Sequence, residues 1–244
     1  MQIDAFTVRL RPRSNMEAAD LGVRLCQSAA KDVFACYWAV GIPTAVLALA
    51  AFQIAAWLPA LLIWWAKPWL DRTILFVLSR AAFGQATRPA DVWRAAREVW
   101  WGQLLRTWTQ RRLSPWRSFT QAVYQLEGLR GAPLRKRVLQ IRHGRTGTAM
   151  LVSFVFGLVE LLLTLGLLSL AFWLAPSGYE PKVATLRTGG AAGFAELALQ
   201  AAYALVVLFL EPFFVAAGFA MYLNRRAELE AWDIEQEFRR AFSV

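Results

Sequence analysis

The stretch VFACYWAVGIPTAVLALAAFQIAAWLPALLIWWA, from Val33 to Ala66, decides the class of this protein because none of its 34 positions is charged. A single helix of that length would be about 51 Å long, whereas the hydrocarbon core of a bilayer is roughly 30 Å thick. One straight helix is therefore too long, and a helical hairpin is favoured, with a second limb that continues past Lys67 toward Arg80. The residues that offer a break or a turn are Gly41, Pro43, Gln53 and Pro59.

The composition agrees with a chain that meets lipid. Hydrophobic residues make up 57% and charged residues 18%, the mean hydropathy is +0.37, and there are 12 Trp and 16 Phe. Two cysteines and one histidine argue against a disulfide framework and a Cys/His zinc cluster, so we expect no metal and no cofactor. No P-loop, dinucleotide fingerprint, His-Glu-x-x-His or nucleophile elbow is present, so an enzyme is the least favoured class.

Two further apolar runs bring the number of predicted transmembrane helices to about four. One extends from about Ala149 to Leu174 and the other from about Leu197 to Leu223. We therefore predict an all-α integral membrane protein with amphipathic interfacial helices, in which residues 1–244 form one membrane domain. Its segments are a cytoplasmic N-terminal segment (1–32), the hairpin (33–80), basic cytoplasmic or interfacial helices (81–145), the last two spans (146–224) and a cytoplasmic amphipathic tail (225–244). A re-entrant hairpin over 33–80, in place of two full spans, would change this count.

The excess of positive charge lies in one region. Between Lys67 and Arg145 there are 16 basic and four acidic residues, which gives this region a net charge of +12. The whole chain carries +10, so the remainder is slightly acidic. In a membrane chain this pattern favours the cytoplasmic side and attraction to anionic lipid over nucleic-acid binding. With four spans both termini are cytoplasmic, and the location predicted is the cytoplasmic (inner) membrane of a bacterium.

Residues 91–142 predict surface helices in which Trp and Leu recur opposite Arg, as in helices that lie in the membrane interface. The alternative is a small cytoplasmic cap in which these helices pack on each other. The candidate lipid-surface residues are Trp93, Arg94, Arg97, Trp100, Trp101, Arg106, Trp108, Arg111 and Arg112.

Glu160 and Glu211 are the most informative ionisable residues. Counted from Arg145 and Arg225, both carboxylates lie about 21–22 Å above the inner charged boundary of antiparallel helices. A carboxylate at that depth is costly, and two adjacent ones would share a proton, which suggests a proton relay or a cation site. The alternative is a protonated Glu that donates to a carbonyl freed by Pro212, or to Thr164, Gln200 or Tyr203.

Two other sets of charged residues are candidates. Lys67 and Asp71 are four residues apart, so they share a helix face and can pair, although snorkelling of Lys67 to the headgroups also explains it. The acidic tail would be free to meet a basic partner. Its docking candidates are Glu228, Glu230, Trp232 and Asp233.

Several short motifs carry a resemblance to a known group. These are Lys67-Pro68-Trp69-Leu70-Asp71-Arg72, Leu126-Glu127-Gly128-Leu129-Arg130-Gly131, Glu211-Pro212-Phe213-Phe214 and Met221-Tyr222-Leu223-Asn224-Arg225-Arg226 with Glu228 to Glu235 after it. They resemble uncharacterised bacterial multi-pass inner-membrane proteins, which look like the membrane domain that accompanies some glycerophosphodiester phosphodiesterases. The catalytic domain of those enzymes is absent, so their activity is not implied. Genes of this group occur beside those for MoxR-type ATPases and von Willebrand-type or transglutaminase-like membrane proteins, which implies a role in a membrane complex.

Two functions from different classes follow. The first is a non-enzymatic scaffold or accessory subunit of a membrane complex, which contacts anionic headgroups through its basic loop and binds a membrane-protein partner or a second copy. The second is a small proton- or cation-coupled transporter that uses Glu160 and Glu211, against which stands the lack of a visible internal repeat.

Overall fold

A computed structural model describes residues 13–101, 114–174 and 191–230. Those residues are 86% helical and contain no strand, so the predicted all-α class is confirmed. The helices are α1 (Asn15–Ser28), α2 (Ala30–Ala50), α3 (Leu58–Ala81), α4 (Pro89–Arg94), α5 (Arg117–Leu126), α6 (Gly131–Arg142), α7 (Thr146–Trp173) and α8 (Ala191–Glu230), with a 3-10 turn at Ala51–Gln53 and a π-helical turn at Arg97–Trp101.

Three of these helical segments are long and apolar enough to cross a membrane. Within the described residues they are Ala30–Gln53, Thr146–Leu170 and Ala195–Glu230. The predicted fourth helix exists as α3, whose 24 residues would extend about 36 Å. Its middle, however, carries the charged residues Lys67, Asp71 and Arg72, so α3 is not among the helices that are apolar enough to cross a membrane. The count of four is therefore not confirmed.

The turn of the hairpin lies between Gln53 and Pro59. Helix α2 continues through Gly41 and Pro43 without a break and ends at Ala50, and the 3-10 turn follows. Pro59 occupies the first turn of α3, where a missing N–H costs no helical hydrogen bond. Gly41 allows close packing instead of a break, since a Cβ there would lie 2.8 Å from Cδ2 of Leu208.

Helix α8 is the centre of the bundle, and α1, α2, α3, α5, α6 and α7 all pack on it. Helices α1 and α2 lie one after the other along α8, and both run antiparallel to it. The backbone of Arg13 exchanges hydrogen bonds with the side chain of Asn224 at 2.9 and 3.0 Å, and further along Trp38 reaches Leu208. The sequence places the end of the apolar span near Leu223, before Arg225 and Arg226. The helix itself continues to Glu230, and both arginines pair with carboxylates one turn later.

Helix α1 was not predicted, because residues 1–32 show no long apolar run. Ser14 caps it by accepting a hydrogen bond from the backbone N–H of Glu17 at 3.2 Å. Its buried face uses small residues, and a Cβ on Gly22 would lie 2.2 Å from the carbonyl oxygen of Ala216. The glycine therefore sets the distance between α1 and α8.

Helices α5 and α6 form a cap that packs onto the bundle. Phe119, Ala122 and Val123 of α5 and Ile141 of α6 are fully buried in the main core. The contact with α8 is close, since a Cβ on Gly218 would lie 2.4 Å from the backbone and Cβ of Ser118. Part of the apolar surface in the described part of the 91–142 region is therefore covered by protein, as in the packed-cap alternative, while Trp93, Trp101, Leu126 and Leu139 are exposed.

Trp38 satisfies a carbonyl that Pro212 leaves free. A proline lacks an N–H, so the carbonyl of Leu208, four residues earlier, has no partner inside α8. The indole Nε1 of Trp38 donates to that oxygen at 3.0 Å. The carbonyl that we expected a protonated glutamate to use is thus bound by a tryptophan of α2.

We expect Gly22→Val to lower the free energy of unfolding by about 1–3 kcal/mol, because its side chain would overlap the backbone of Ala216. Gly157→Ala on α7 is the control, since a Cβ at that position meets nothing within 4 Å. Thermal unfolding of the purified protein in detergent measures both. Equal melting temperatures for wild type and Gly22→Val would contradict the close α1–α8 contact.

The Trp38 hydrogen bond is expected to depend on the proline. Trp38→Phe should cost about 1 kcal/mol beyond its lost area in the wild-type background. In a Pro212→Ala background the restored N–H of residue 212 can donate to Leu208, so the same substitution should cost less. A double-mutant cycle on unfolding free energies measures this coupling, and additive effects would show that Trp38 does not serve the freed carbonyl.

Candidate functional site

A buried cluster of charged side chains lies where the middles of α7 and α8 meet α3. The ammonium of Lys67 contacts Oε2 of Glu160 at 2.6 Å and Oε2 of Glu211 at 2.8 Å. The side chains are 7%, 19% and 3% exposed, respectively. Glu160 lies 14 residues after the start of α7, and Glu211 lies halfway along α8. One cation thus bridges a carboxylate from each of the two long helices.

Arg117, the first residue of α5, adds a second cation. Its Nη2 lies 2.5 Å from Oε1 of Glu211, and its Nε lies 3.1 Å from Oδ2 of Asp71. Its guanidinium carbon also lies 5.3 Å from the ring centroid of Phe214 on α8. Glu211 is therefore held by Lys67 on one oxygen and by Arg117 on the other.

The five groups of the charge cluster do not balance. Three carboxylates (Asp71, Glu160 and Glu211) face two cations (Lys67 and Arg117), which leaves one negative charge when every group is ionised. Both oxygens of Asp71 are buried and, apart from the ion pair with Arg117, accept no well-aligned hydrogen bond from another described residue. The cluster can therefore take up one proton or one small monovalent cation. Among the described residues, no three His, Cys, Asp or Glu side chains are grouped as a metal site.

The structure brings the predicted ionisable residues together, but in different pairs. Glu160 and Glu211 lie at matching depth as expected, yet the ammonium of Lys67 stands between them where we expected a shared proton. Lys67 does not snorkel, since it is 6% exposed. Asp71 faces Arg117 instead of pairing with Lys67, because α5 inserts a better-placed guanidinium. The hydroxyl of Thr164 donates to the backbone oxygen of Glu160, not to its carboxylate.

Arg117 is the member of the cluster that the sequence analysis missed. It is one of 16 basic residues in its region, and its neighbours Ser114 and Pro115 indicate only a helix start. Nothing local distinguishes it from an arginine that faces water. Its role follows from the packing of α5 on α8, which places the start of α5 beside the middle of α8.

A small cavity of about 230 Å³ borders the charge cluster. Lys67, Glu160, Glu211 and Arg117 contribute to its wall, together with apolar residues of α7 and α8. The cavity thus borders Glu160 and Glu211, whereas Asp71 is fully buried and does not line it.

The candidate lipid-surface residues separate into two groups. Trp93, Arg94, Arg97 and Trp101 are exposed, in agreement with contact to a surface. Trp100 differs from the prediction, because its indole is buried and donates from Nε1 to Oγ1 of Thr73 at 2.9 Å. The remaining candidates lie outside the described residues: Arg106, Trp108, Arg111 and Arg112.

The acidic residues at the end of α8 are bound within the protein. Glu228 accepts from Arg145 at 3.0 Å and from Arg225 at 2.9 Å, and Glu230 pairs with Arg137 and Arg226. The expectation that Glu228 and Glu230 are free for a basic partner is therefore wrong, because the start of α7 and the middle of α6 supply the cations. Trp232 and Asp233 lie outside the described residues.

These interactions join the cap to the base of the bundle. Arg137 of α6 binds Glu127 after α5 as well as Glu230 of α8, and Tyr222 donates to Glu127 at 2.8 Å. Burial lowers the pKa of the Arg137 guanidinium, but hydrogen bonds to the two carboxylates raise it by more, so its pKa lies above the ordinary value. The guanidinium therefore stays charged at any physiological pH.

Fold and site together define a helical protein with three segments able to cross a membrane and an ionic centre that joins two of them, together with α3, to its cap. No protein-family model, curated protein or solved structure matches this chain. The function must therefore be argued from the chemistry of the residues themselves.

Lys67→Met is expected to destabilise the protein by about 3–5 kcal/mol, because it leaves the carboxylates of Glu160 and Glu211 without their common cation. Adding Glu160→Gln and Glu211→Gln should restore part of that loss. Lys31→Met, at an exposed position of α2, is the matched control and should change little. Unfolding by SDS titration measures the series, and an unaltered Lys67→Met protein would show that the cluster does not hold the helices.

Proposed function

We propose that the protein is a non-enzymatic, multi-pass component of the bacterial cytoplasmic membrane that acts as a scaffold or accessory subunit of a membrane complex. In this proposal α3 is the fourth span, and both termini are cytoplasmic. Support for the fourth span comes from the packing of α3 against α2 and α8. The charges in its middle are paired inside the protein, so they need not face lipid.

The charge cluster is the observation that carries the scaffold proposal. It links α3, α5, α7 and α8 through two cations and three carboxylates, four of which are at least 90% covered. Buried ionic groups in a membrane protein allow one arrangement of helices, because any other would leave a charge without a partner. Such a centre suits a protein that presents a fixed surface to others.

The basic surface supports contact with anionic lipid. Exposed basic residues occur on α4 and α6, among them Arg94, Arg135 and Lys136. Each Lys or Arg near an anionic membrane surface adds roughly 1 kcal/mol of binding. Headgroup contact would therefore hold the cap against the cytoplasmic leaflet.

The outer face of α7 is the surface proposed for a partner helix or a second copy. Most of its large apolar side chains are exposed, whereas α8 is mostly buried. In a bilayer this face meets lipid tails or another apolar helix. Gly166, one turn after Leu162, where a Cβ would meet nothing within 4 Å, leaves room for close approach of a neighbouring helix.

Mild extraction of the tagged protein, followed by mass spectrometry of co-purifying proteins and lipids, tests the scaffold proposal. We expect a stoichiometric membrane-protein partner or a defined homo-oligomer, with anionic phospholipid enriched over zwitterionic lipid. Leu162→Trp on the exposed face of α7 should reduce the assembly, whereas Trp38→Phe on α2 should not. A monomer without partner and without enriched lipid would contradict the proposal.

The second candidate function is a small proton- or cation-coupled transporter, and it is favoured by the cavity beside Glu160 and Glu211. The excess negative charge of the cluster supports uptake of one proton or monovalent cation. A second copy could supply further helices for a pathway.

Flux in proteoliposomes distinguishes the transporter from the scaffold. If the protein transports, Glu160→Gln and Glu211→Gln should each reduce proton- or cation-driven flux at least tenfold. Glu17→Gln, on the exposed side of α1, should leave it unchanged. Absence of flux in wild-type vesicles, or equal flux in all three variants, would exclude this candidate.

A further inference from the structure

A large cavity with a basic wall lies between α3, α5 and α6. Its volume is about 1070 Å³, at the upper end of the roughly 300–1,000 Å³ typical of small-molecule sites. Five cationic residues contribute to its lining: Arg72, Arg117, Arg135, Lys136 and Arg142. None of its described lining residues is acidic.

Three of these cations have no carboxylate partner within residues 13–101, 114–174 and 191–230. Arg117 is engaged by Asp71 and Glu211, whereas Arg135, Lys136 and Arg142 form no ion pair with any other described residue. Positive groups that share a concave wall repel each other unless an anion lies between them. The cap thus concentrates unneutralised positive charge on one wall of a cavity.

The site also contains polar groups held in place without partners. The guanidinium of Arg142 lies over the indole of Trp116, 3.7 Å from its ring centroid. Its Nε has no hydrogen-bond partner among the described residues. Gln121 is 8% exposed, and its Nε2 donor likewise has no partner there. A buried donor without an acceptor is costly, and a small rotation of the amide would present it to a ligand in the cavity.

We propose that this cavity, which we call the α5–α6 cavity, binds a phosphate-bearing anion. Arginine forks match phosphate oxygens in pairs, and Lys adds a further positive charge. The volume exceeds that of a phosphate group alone, so there is room for the group that carries it. The phosphate could belong to a phospholipid headgroup or to a soluble compound. The inference rests on the proposed function, since α6 must face the cytoplasmic leaflet for the lipid source.

The test uses the full-length protein, freed of lipid in a neutral detergent, and two probes. These are inorganic phosphate and dioctanoyl-phosphatidylglycerol, with dioctanoyl-phosphatidylcholine as the zwitterionic comparison. Calorimetric titration gives the affinities, and thermal unfolding shows that each variant is folded. Arg142→Gln and the double variant Arg135→Gln/Lys136→Gln should weaken binding tenfold or more. The control with equal loss of charge is Arg24→Gln/Lys31→Gln, on exposed positions of α1 and α2, and it should bind as wild type does.

The two sources give different results. Saturable binding of phosphatidylglycerol alone supports a lipid headgroup, whereas binding of both probes, with phosphate competing, supports a soluble phosphate compound. Arg142→Lys keeps the charge but loses the fork, so it should restore only part of the affinity. Failure of both probes to bind, binding of an acidic peptide only, or equal losses in the cavity and control variants would overturn the inference. Anionic lipid retained equally by wild type and Arg142→Gln would leave the proposed membrane function intact and still exclude this site.

Discussion

The position of Lys67 between Glu160 and Glu211 is the constraint on which the rest of the structure depends. Removing three charges from water is tolerable only when each finds a partner at short distance, and here the partners come from three different helices. The register of α3 against α7 and α8 is thereby determined to within one residue. A shift by a single residue would turn a carboxylate or the ammonium away from the cluster.

Small residues make this arrangement sterically accessible. Close approach of α1 and α5 to α8 requires positions without side chains. Gly22 meets the backbone of Ala216, and Gly218 meets the backbone of Ser118. The second contact brings α5 along α8 and places Arg117 next to Glu211. Packing and charge pairing are therefore coupled: the glycines set the distances, and the ion pairs select the register.

The cap and the end of α8 show how charge is distributed in the finished protein. Carboxylates that look free in the sequence, Glu228 and Glu230, are bound by Arg145, Arg137 and two arginines of α8 itself. Basic residues that look equivalent also differ. Arg117 pairs with Asp71 and Glu211, whereas Arg142 faces a cavity whose described lining residues include no acid. The net positive charge of the region is thus presented selectively, on exposed parts of α4 and α6 and on one cavity wall.

Sequence alone determined the all-helical class, the long apolar segments that could cross a membrane, the hairpin turn near Gln53 and Pro59, and the level at which Glu160 and Glu211 meet. These follow from properties that act along one segment, namely length, hydropathy, helix breaks and the rise per residue. Helix α1, the burial of Trp100 and the pairing within the charge cluster were decided by tertiary structure. The reason is physical: an ion pair or a glycine contact joins residues that are tens to hundreds of positions apart, as Arg117 and Glu211 are. Nothing in the immediate neighbourhood of either residue encodes which partner the fold will bring to it.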